Sequence, residues 1–183
     1  MHQESLVPQQ VIDARELIVR QRLEPLELLA IETRNKYGIW TPEGRQLVYA
    51  AEEDTGLSGT ISRQILGHWR KFEIHFLGDD ARPIFTAVHP FRAIFHRLEV
   101  FTISGELVGV IQQRLGLGPL LRRFDIEDRN GRVLLKCSNH PLKPWTFRFL
   151  SRFGAQKAVI EKKWSGFLAE SFTHKDNFRV RFL

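Results

Sequence analysis

Basic and aromatic side chains recur together along this chain, and they are the residues with the most chemistry to offer. Arg70-Lys71, Arg92 with Arg97, Arg122-Arg123, Lys143 and Lys162-Lys163 flank apolar stretches that hold Trp69, Phe91, Phe95, Leu120, Leu121, Trp145 and Trp164. Cations beside tryptophan suit an anionic, water-bounded surface: ammonium and guanidinium groups meet phosphate, and indole sits where water gives way to acyl chains. The same mixture suits nucleic acid, where rings stack on bases and cations follow the backbone. The bland alternative is that these rings cap the ends of a β-structure and the charges beside them are solvated.

Other chemistry finds little support. Seven histidines (His2, His68, His75, His89, His96, His140 and His174) are scattered, and none forms an HxxxH or HxH pair beside a carboxylate in metal spacing. No serine sits in a G-x-S-x-G elbow, and Gly116-Leu117-Gly118-Pro119 reads as a turn rather than a nucleotide loop. Cys137, the only cysteine, lies in the apolar run Val133–Cys137 and reads as a packed small residue, not a nucleophile. The sequence therefore predicts no enzyme, no cofactor, no metal site and no internal disulfide. A single cysteine fits a reducing, cytoplasmic compartment. Lys+Arg exceeds Asp+Glu by 27 to 21, for a net charge of +6, which favours an anionic partner and says nothing about fold.

The elements that must position these groups are hairpins. Leu98 and Val100 lie on one face of a strand, Ser104-Gly105 makes a turn, and Val108, Val110 and Ile111 return. The pattern recurs at Phe124–Cys137, with its Asn130-Gly131 turn, and at Phe147–Ile160, turning at Gly154. Phe72–Phe85 is a looser copy. The copies start at 72, 98, 124 and 147, so successive starts are 26, 26 and 23 residues apart. Regular spacing of this kind indicates one supersecondary unit repeated around a common core. Asn35–Glu53 forms another hairpin, with Pro42-Glu43-Gly44 at its turn.

Residues 1–14 are polar and read as a loose segment, and 15–183 as a single domain; 183 residues with 43% hydrophobic content suffice for one sizeable core. Leu17–Leu23 is a first strand stopped by Pro25; Leu26–Ile31 has no clear state. Two short helices are expected. Leu57, Ile61 and Ile65 mark one over 57–66, and Trp164, Leu168 and Phe172 mark the other. Phe178, Val180 and Phe182 alternate as a final strand. The connectors 90–97, 116–123 and 140–145 mix apolar and basic residues, and a binding surface is expected there. No apolar run approaches the roughly 20 residues of a membrane-spanning helix, and Met1–Ser5 lacks the build of a secretory signal, so a soluble chain with peripheral membrane contact is expected.

Three segments resemble the phospholipid scramblases and their LURP-one-related relatives, all of the tubby-like fold. They are Asn35–Ile39 with Gln46–Asp54; Leu98–Val100 through Gly109–Gln113; and Ile160–Phe178. The last is the most specific, with Lys162-x-Trp164-Ser165-Gly166, Glu170-x-Phe172-Thr173 and Asp176-Asn177-Phe178. The resemblance implies a mainly β, antiparallel, twelve-stranded closed barrel around an apolar C-terminal central helix, which is missing from this chain because it stops at Leu183. It also implies a calcium loop over the final strand. Here His174 takes the first ligand position, Asp176 the third, and Arg179 stands where such a loop wants Gly; with Asn177 this is too few oxygens for calcium.

The expected function is that of a phospholipid scramblase-like protein, bound peripherally to anionic phospholipid at the inner membrane face and promoting transbilayer lipid movement. The lipid-binding residues would be Arg70, Lys71, Arg92, Arg97, Arg122, Arg123, Lys143, Trp145, Lys162, Lys163 and Trp164. One alternative is a non-catalytic binding module for a fatty acyl chain, phosphoinositide or protein segment. A second is a nucleic-acid-binding regulator.

Overall fold

Twelve extended stretches make up the fold in a computed structural model that describes residues 7–22, 33–53, 71–90, 95–116, 121–162 and 177–183. They are β1 Glu16–Arg22, β2 Thr33–Trp40, β3 Gln46–Glu53, β4 Phe72–Gly78, β5 Pro83–His89 and β6 Arg97–Thr102. The second half supplies β7 Leu107–Arg114, β8 Arg123–Asp128, β9 Val133–His140, β10 Lys143–Ser151, β11 Gln156–Lys162 and β12 Asn177–Phe182. Each pairs antiparallel with the next, and β1 pairs with β12 from Glu16↔Arg181 to Arg20↔Asn177, so the sheet closes. Closure pairs the backbone groups that an open sheet leaves bare along its two edges. This is the twelve-stranded antiparallel barrel that the sequence led us to expect.

Tight turns of one geometry join the strands at one end. The Gly105 amide donates to the Thr102 carbonyl at 3.0 Å, and the Thr102 amide to the Glu106 carbonyl at 2.9 Å. The same pair of bonds recurs at Thr41–Arg45, Gly78–Arg82, Asp128–Arg132 and Ser151–Ala155. Side-chain oxygens of Thr102, Asp128 and Ser151 also accept the amide four residues on. The fourth residue of each turn must take a left-handed backbone, with φ +83° at Gly105 and +76° at Gly131. The expected turns at Gly44, Gly105, Gly131 and Gly154 all fall at this position. Ala81 is the exception, holding φ +62° with a side chain.

Register sorts the side chains consistently around the barrel. Leu17, Val19, Ile39, Val48, Phe76, Phe85, Val100, Ile111, Phe124, Phe149, Ile160 and Val180 share one face through successive cross-strand pairs. That face is the inner one. Leu17, Leu47, Val48 and Ile84 pack as a buried cluster with Ile39, Phe76, Phe85 and Val180, and strands as far apart in the sheet as β1 and β5 can meet only across the interior. The opposite face carries Arg97, Glu99, Arg114, Asp125, Glu127, Glu161 and Arg181.

Several local expectations change. A register shift between Val100 and Phe101 pairs Val100 with Gly109, which turns Ile111 inward and Val110 outward, so these two neighbours do not share a face. The stretch 140–145 is no connector: Pro141 and Leu142 make a tight turn and β10 begins at Lys143, with Pro144 beside a register shift where no ladder amide is needed. Within 1–14, Gln9–Ile12 form one helical turn, and Val7, Val11 and Ala14 pack against the buried cluster. Both expected helices, over 57–66 and 164–172, lie outside the described residues.

The turns make a stability prediction. Ala81→Gly relieves the left-handed strain and Gly131→Ala imposes it. Each should change stability by about 1 kcal/mol, up and down respectively, or roughly 2–4 °C in Tm, as read by thermal unfolding.

Candidate functional site

Because neighbouring strands run in opposite directions, the ends of the odd-numbered strands and the starts of the even-numbered ones form a single rim, opposite the tight turns. The basic and aromatic residues read from the sequence collect there. Lys71 precedes β4, Arg97 opens β6, Arg122 and Arg123 lead into β8, Lys143 and Trp145 open β10, and Lys162 closes β11. Arg70, Arg92, Lys163, Trp164, His174 and Asp176 lie outside the described residues, and Asn177 is the first residue of β12.

The structure divides the rim cations into two groups. Lys71 Nζ lies 3.1 Å from Glu73, and Arg97 Nε 2.6 Å from Glu99, with a longer bond to Gln112 Oε1 at 3.5 Å. Arg114 donates to Asp125 at 2.8 Å and to Glu127. These groups are neutralised on the barrel's own outer face. Arg122, Arg123 and Lys143 are exposed, and among the described residues none of them forms an ion pair.

These three cations are neighbours on one arc of rim, from β7 to β11. Asn139 Oδ1 accepts the Arg122 amide at 2.7 Å and the Asn139 amide donates back to the Arg122 carbonyl at 3.3 Å, which ties the entry of β8 to β9. Lys143 faces His140 across the turn. Leu142 is 87% exposed and Leu115 78%. Trp145 is partly exposed, and Lys162 Nζ lies 5.1 Å from the centre of its ring, close enough for a cation–π attraction. The arc thus presents unneutralised cations among large apolar side chains that stand in water.

The barrel wall has a polarity that matters for any membrane role. Charges on the outer face of β4, β6, β7, β8, β11 and β12 form cross-strand ion pairs or sit beside them, and the inner rows are apolar. A barrel that crosses a bilayer has the reverse arrangement, since Arg or Lys on a lipid-facing strand costs about 2–4 kcal/mol at mid-membrane. No helix among the described residues is long and apolar enough to cross a membrane.

A separate cluster sits on the outer face of β3 and β4. Glu53 stands opposite Glu73, and His75 follows two residues along on the same face. The carboxylate oxygens and an imidazole nitrogen lie within 4.8 Å of one another. Sequence inspection missed this group. Glu73-x-His75 is visible as an i, i+2 pair, but Glu53 joins it only through the ladder. Two other histidines also meet: His89 Nε2 lies 3.0 Å from His96 Nδ1, and the His89 ring stacks on Phe72 at 4.7 Å.

The pattern of the Scramblase family matches residues 3–183. The chain belongs to the scramblase family. It is 31% identical over 187 residues to phospholipid scramblase 1 of Mus musculus, covering 91% of this chain and 53% of that protein. Identity is 28% to phospholipid scramblase 2 of Homo sapiens, covering 91% and 59%, and 27% to the human phospholipid scramblase family member 5, covering 90% and 64%. The chain thus spans little more than half the length of the relatives it matches most strongly. An X-ray structure of an Arabidopsis thaliana protein shares the fold at TM-score 0.50 and 16% identity, covering 92% of this chain and 81% of that one.

Cys137 lies on the inner face between Phe124 and Phe149, and burial pushes its thiol pKa up to about 12. At pH 8 the reactive thiolate is therefore scarce. The native scramblase-family chain should react with a thiol reagent such as DTNB only slowly, and at the rate of a free cysteine once unfolded in guanidinium. Fast labelling of the native protein would contradict the buried placement.

Proposed function

We propose that this chain is a phospholipid scramblase-like protein that binds anionic phospholipid membranes peripherally, through the rim arc of Arg122, Arg123 and Lys143. The observation that carries this reading is the grouping of those three unneutralised cations with exposed Leu115, Leu142 and Trp145. The names of the relatives support lipid as the partner class. Each cation near an anionic surface contributes about 1 kcal/mol, so the three together supply about 3 kcal/mol. Leu115, Leu142 and Trp145 would add apolar insertion at the head-group boundary. Transbilayer lipid movement would then proceed with the barrel seated on the cytoplasmic membrane surface rather than threaded through it, because the outer wall is charged. It requires no bond-making step.

Co-sedimentation with phosphatidylcholine liposomes of increasing phosphatidylserine content tests this. Binding should rise with the anionic fraction and weaken with salt. The combined Arg122→Ala, Arg123→Ala and Lys143→Ala variant should bind on the order of 100-fold more weakly. Lys71→Ala and Arg97→Ala, which remove internally paired cations, should stay near wild type. Equal binding to neutral and anionic liposomes would sink the proposal. Duplex DNA binding with a steep salt slope would favour the nucleic-acid reading instead.

A second reading, a module that holds a fatty acyl chain inside the barrel, is favoured by one observation. Inner-face residues from β6 to β12 are only half-buried, and Ile111 is 37% exposed. An environment-sensitive acyl probe should brighten on wild-type protein and lose that signal with Ile111→Lys.

A further inference from the structure

The outer face of β3 and β4 carries a set of donors that neither lipid binding nor the fold accounts for. We propose that Glu53, Glu73 and His75 form a binding site for a divalent transition-metal ion. The reasoning begins with register. Glu53 and Glu73 are directly opposed across the ladder, which sets their Cβ atoms about 5 Å apart. His75 follows Glu73 by two residues and so projects to the same side. The three donor atoms lie within 4.8 Å of one another, and His75 Nε2 is 2.7 Å from Glu53 Oε2. Small rotations of the two glutamates bring these donors to the roughly 2.0–2.2 Å that Zn²⁺ takes with imidazole and carboxylate.

The surroundings complete the arrangement. Thr86, opposite His75 on β5, places its hydroxyl 3.3 Å from Nδ1. With Nδ1–H donating to that hydroxyl, the Nε2 lone pair is left facing the carboxylates, which is how an outer partner orients a ligating histidine. Two carboxylates beside one imidazole provide the charge to bind a dication. Lys71 is the competitor: its Nζ lies 3.1 Å from Glu73, but its side chain is 57% exposed and can swing into water. One nitrogen and two oxygens select the ions that imidazole suits, Zn²⁺ or Co²⁺, and disfavour Ca²⁺, which takes six to eight oxygens. All three side chains are partly exposed, so water has room to fill the remaining coordination positions. The site is distinct in place and chemistry from the stretch around Asn177. It is also independent of the rim arc, so it stands or falls without the lipid proposal.

Isothermal titration of the full chain with Zn²⁺ in lipid-free buffer, paired with Co²⁺ absorption spectra, tests the site. One equivalent should bind saturably and raise the Tm of the wild-type protein. His75→Gln and Glu73→Gln should each weaken binding by at least roughly 10-fold, and Thr86→Val by about 10-fold. Glu53→Gln provides a further ligand variant should His75→Gln fold poorly, with circular dichroism as the check. His96→Gln, which alters the other histidine pair, should leave binding unchanged. Protons compete for the same donor atoms, so affinity should fall on acidification. The assignment is overturned by absence of saturable binding of either ion, by full affinity in folded Glu53→Gln and Glu73→Gln, or by displacement of Zn²⁺ with equimolar Ca²⁺.

Discussion

The ladder between β1 and β12 is the constraint on which everything else in this molecule rests. Without it the sheet is a ribbon with two bare edges. With it, the alternation of side chains must stay in phase through all twelve strands and return on itself, Leu17 against Val180 and Ile18 against Arg179. Each local departure in register, such as those beside Trp40, Leu77 and Leu107, is absorbed within its own hairpin. The result is one apolar lining and one charged exterior. A strand that slipped by one residue would turn its whole row of Phe and Ile to the wrong side.

Closure also decides where function can sit. A meander of even strand number places every tight turn at one end and every longer connection at the other. The short end is closed by hydrogen-bonded turns, with the segment carrying Val7, Val11 and Ala14 packed on the core beside it. The opposite rim gathers the chain's basic and aromatic residues. There the electrostatics are uneven: carboxylates two residues along the same strand neutralise Lys71 and Arg97, whereas Arg122, Arg123 and Lys143 keep their charge for the solvent side. A basic overall composition conceals this division, because it counts paired and unpaired cations alike.

Much of the fold was legible in the sequence. Asn130-Gly131 and Ser104-Gly105 announce their turns because few other residues tolerate the left-handed backbone, and Phe178, Val180 and Phe182 announce a half-buried strand by alternation. Family resemblance supplied the strand number and closure, which local patterns do not contain. What stayed hidden depends on register. Val110 and Ile111 are both apolar, and only the bulge beside Leu107 determines which one faces inward. Glu53 belongs with Glu73 and His75 because of a ladder that no spacing along the chain reveals. The rim residues were recognised by type, but the distinction between neutralised and unneutralised cations required the carboxylates around them.

The order of the strands has a consequence for how the chain is made. Eleven of the twelve ladders join consecutive strands, so each can form as soon as its hairpin leaves the ribosome; the twelfth joins Glu16 to Arg181, across nearly the whole chain. Until the residues of β12 emerge, β1 and β11 remain open edges and the apolar lining lies exposed along one flank, the condition in which β-proteins aggregate. The last six-residue strand to be synthesised is thus the one that converts a sticky ribbon into a sealed cylinder. Translation that stalls just short of Asn177 would leave a nascent chain in need of a chaperone.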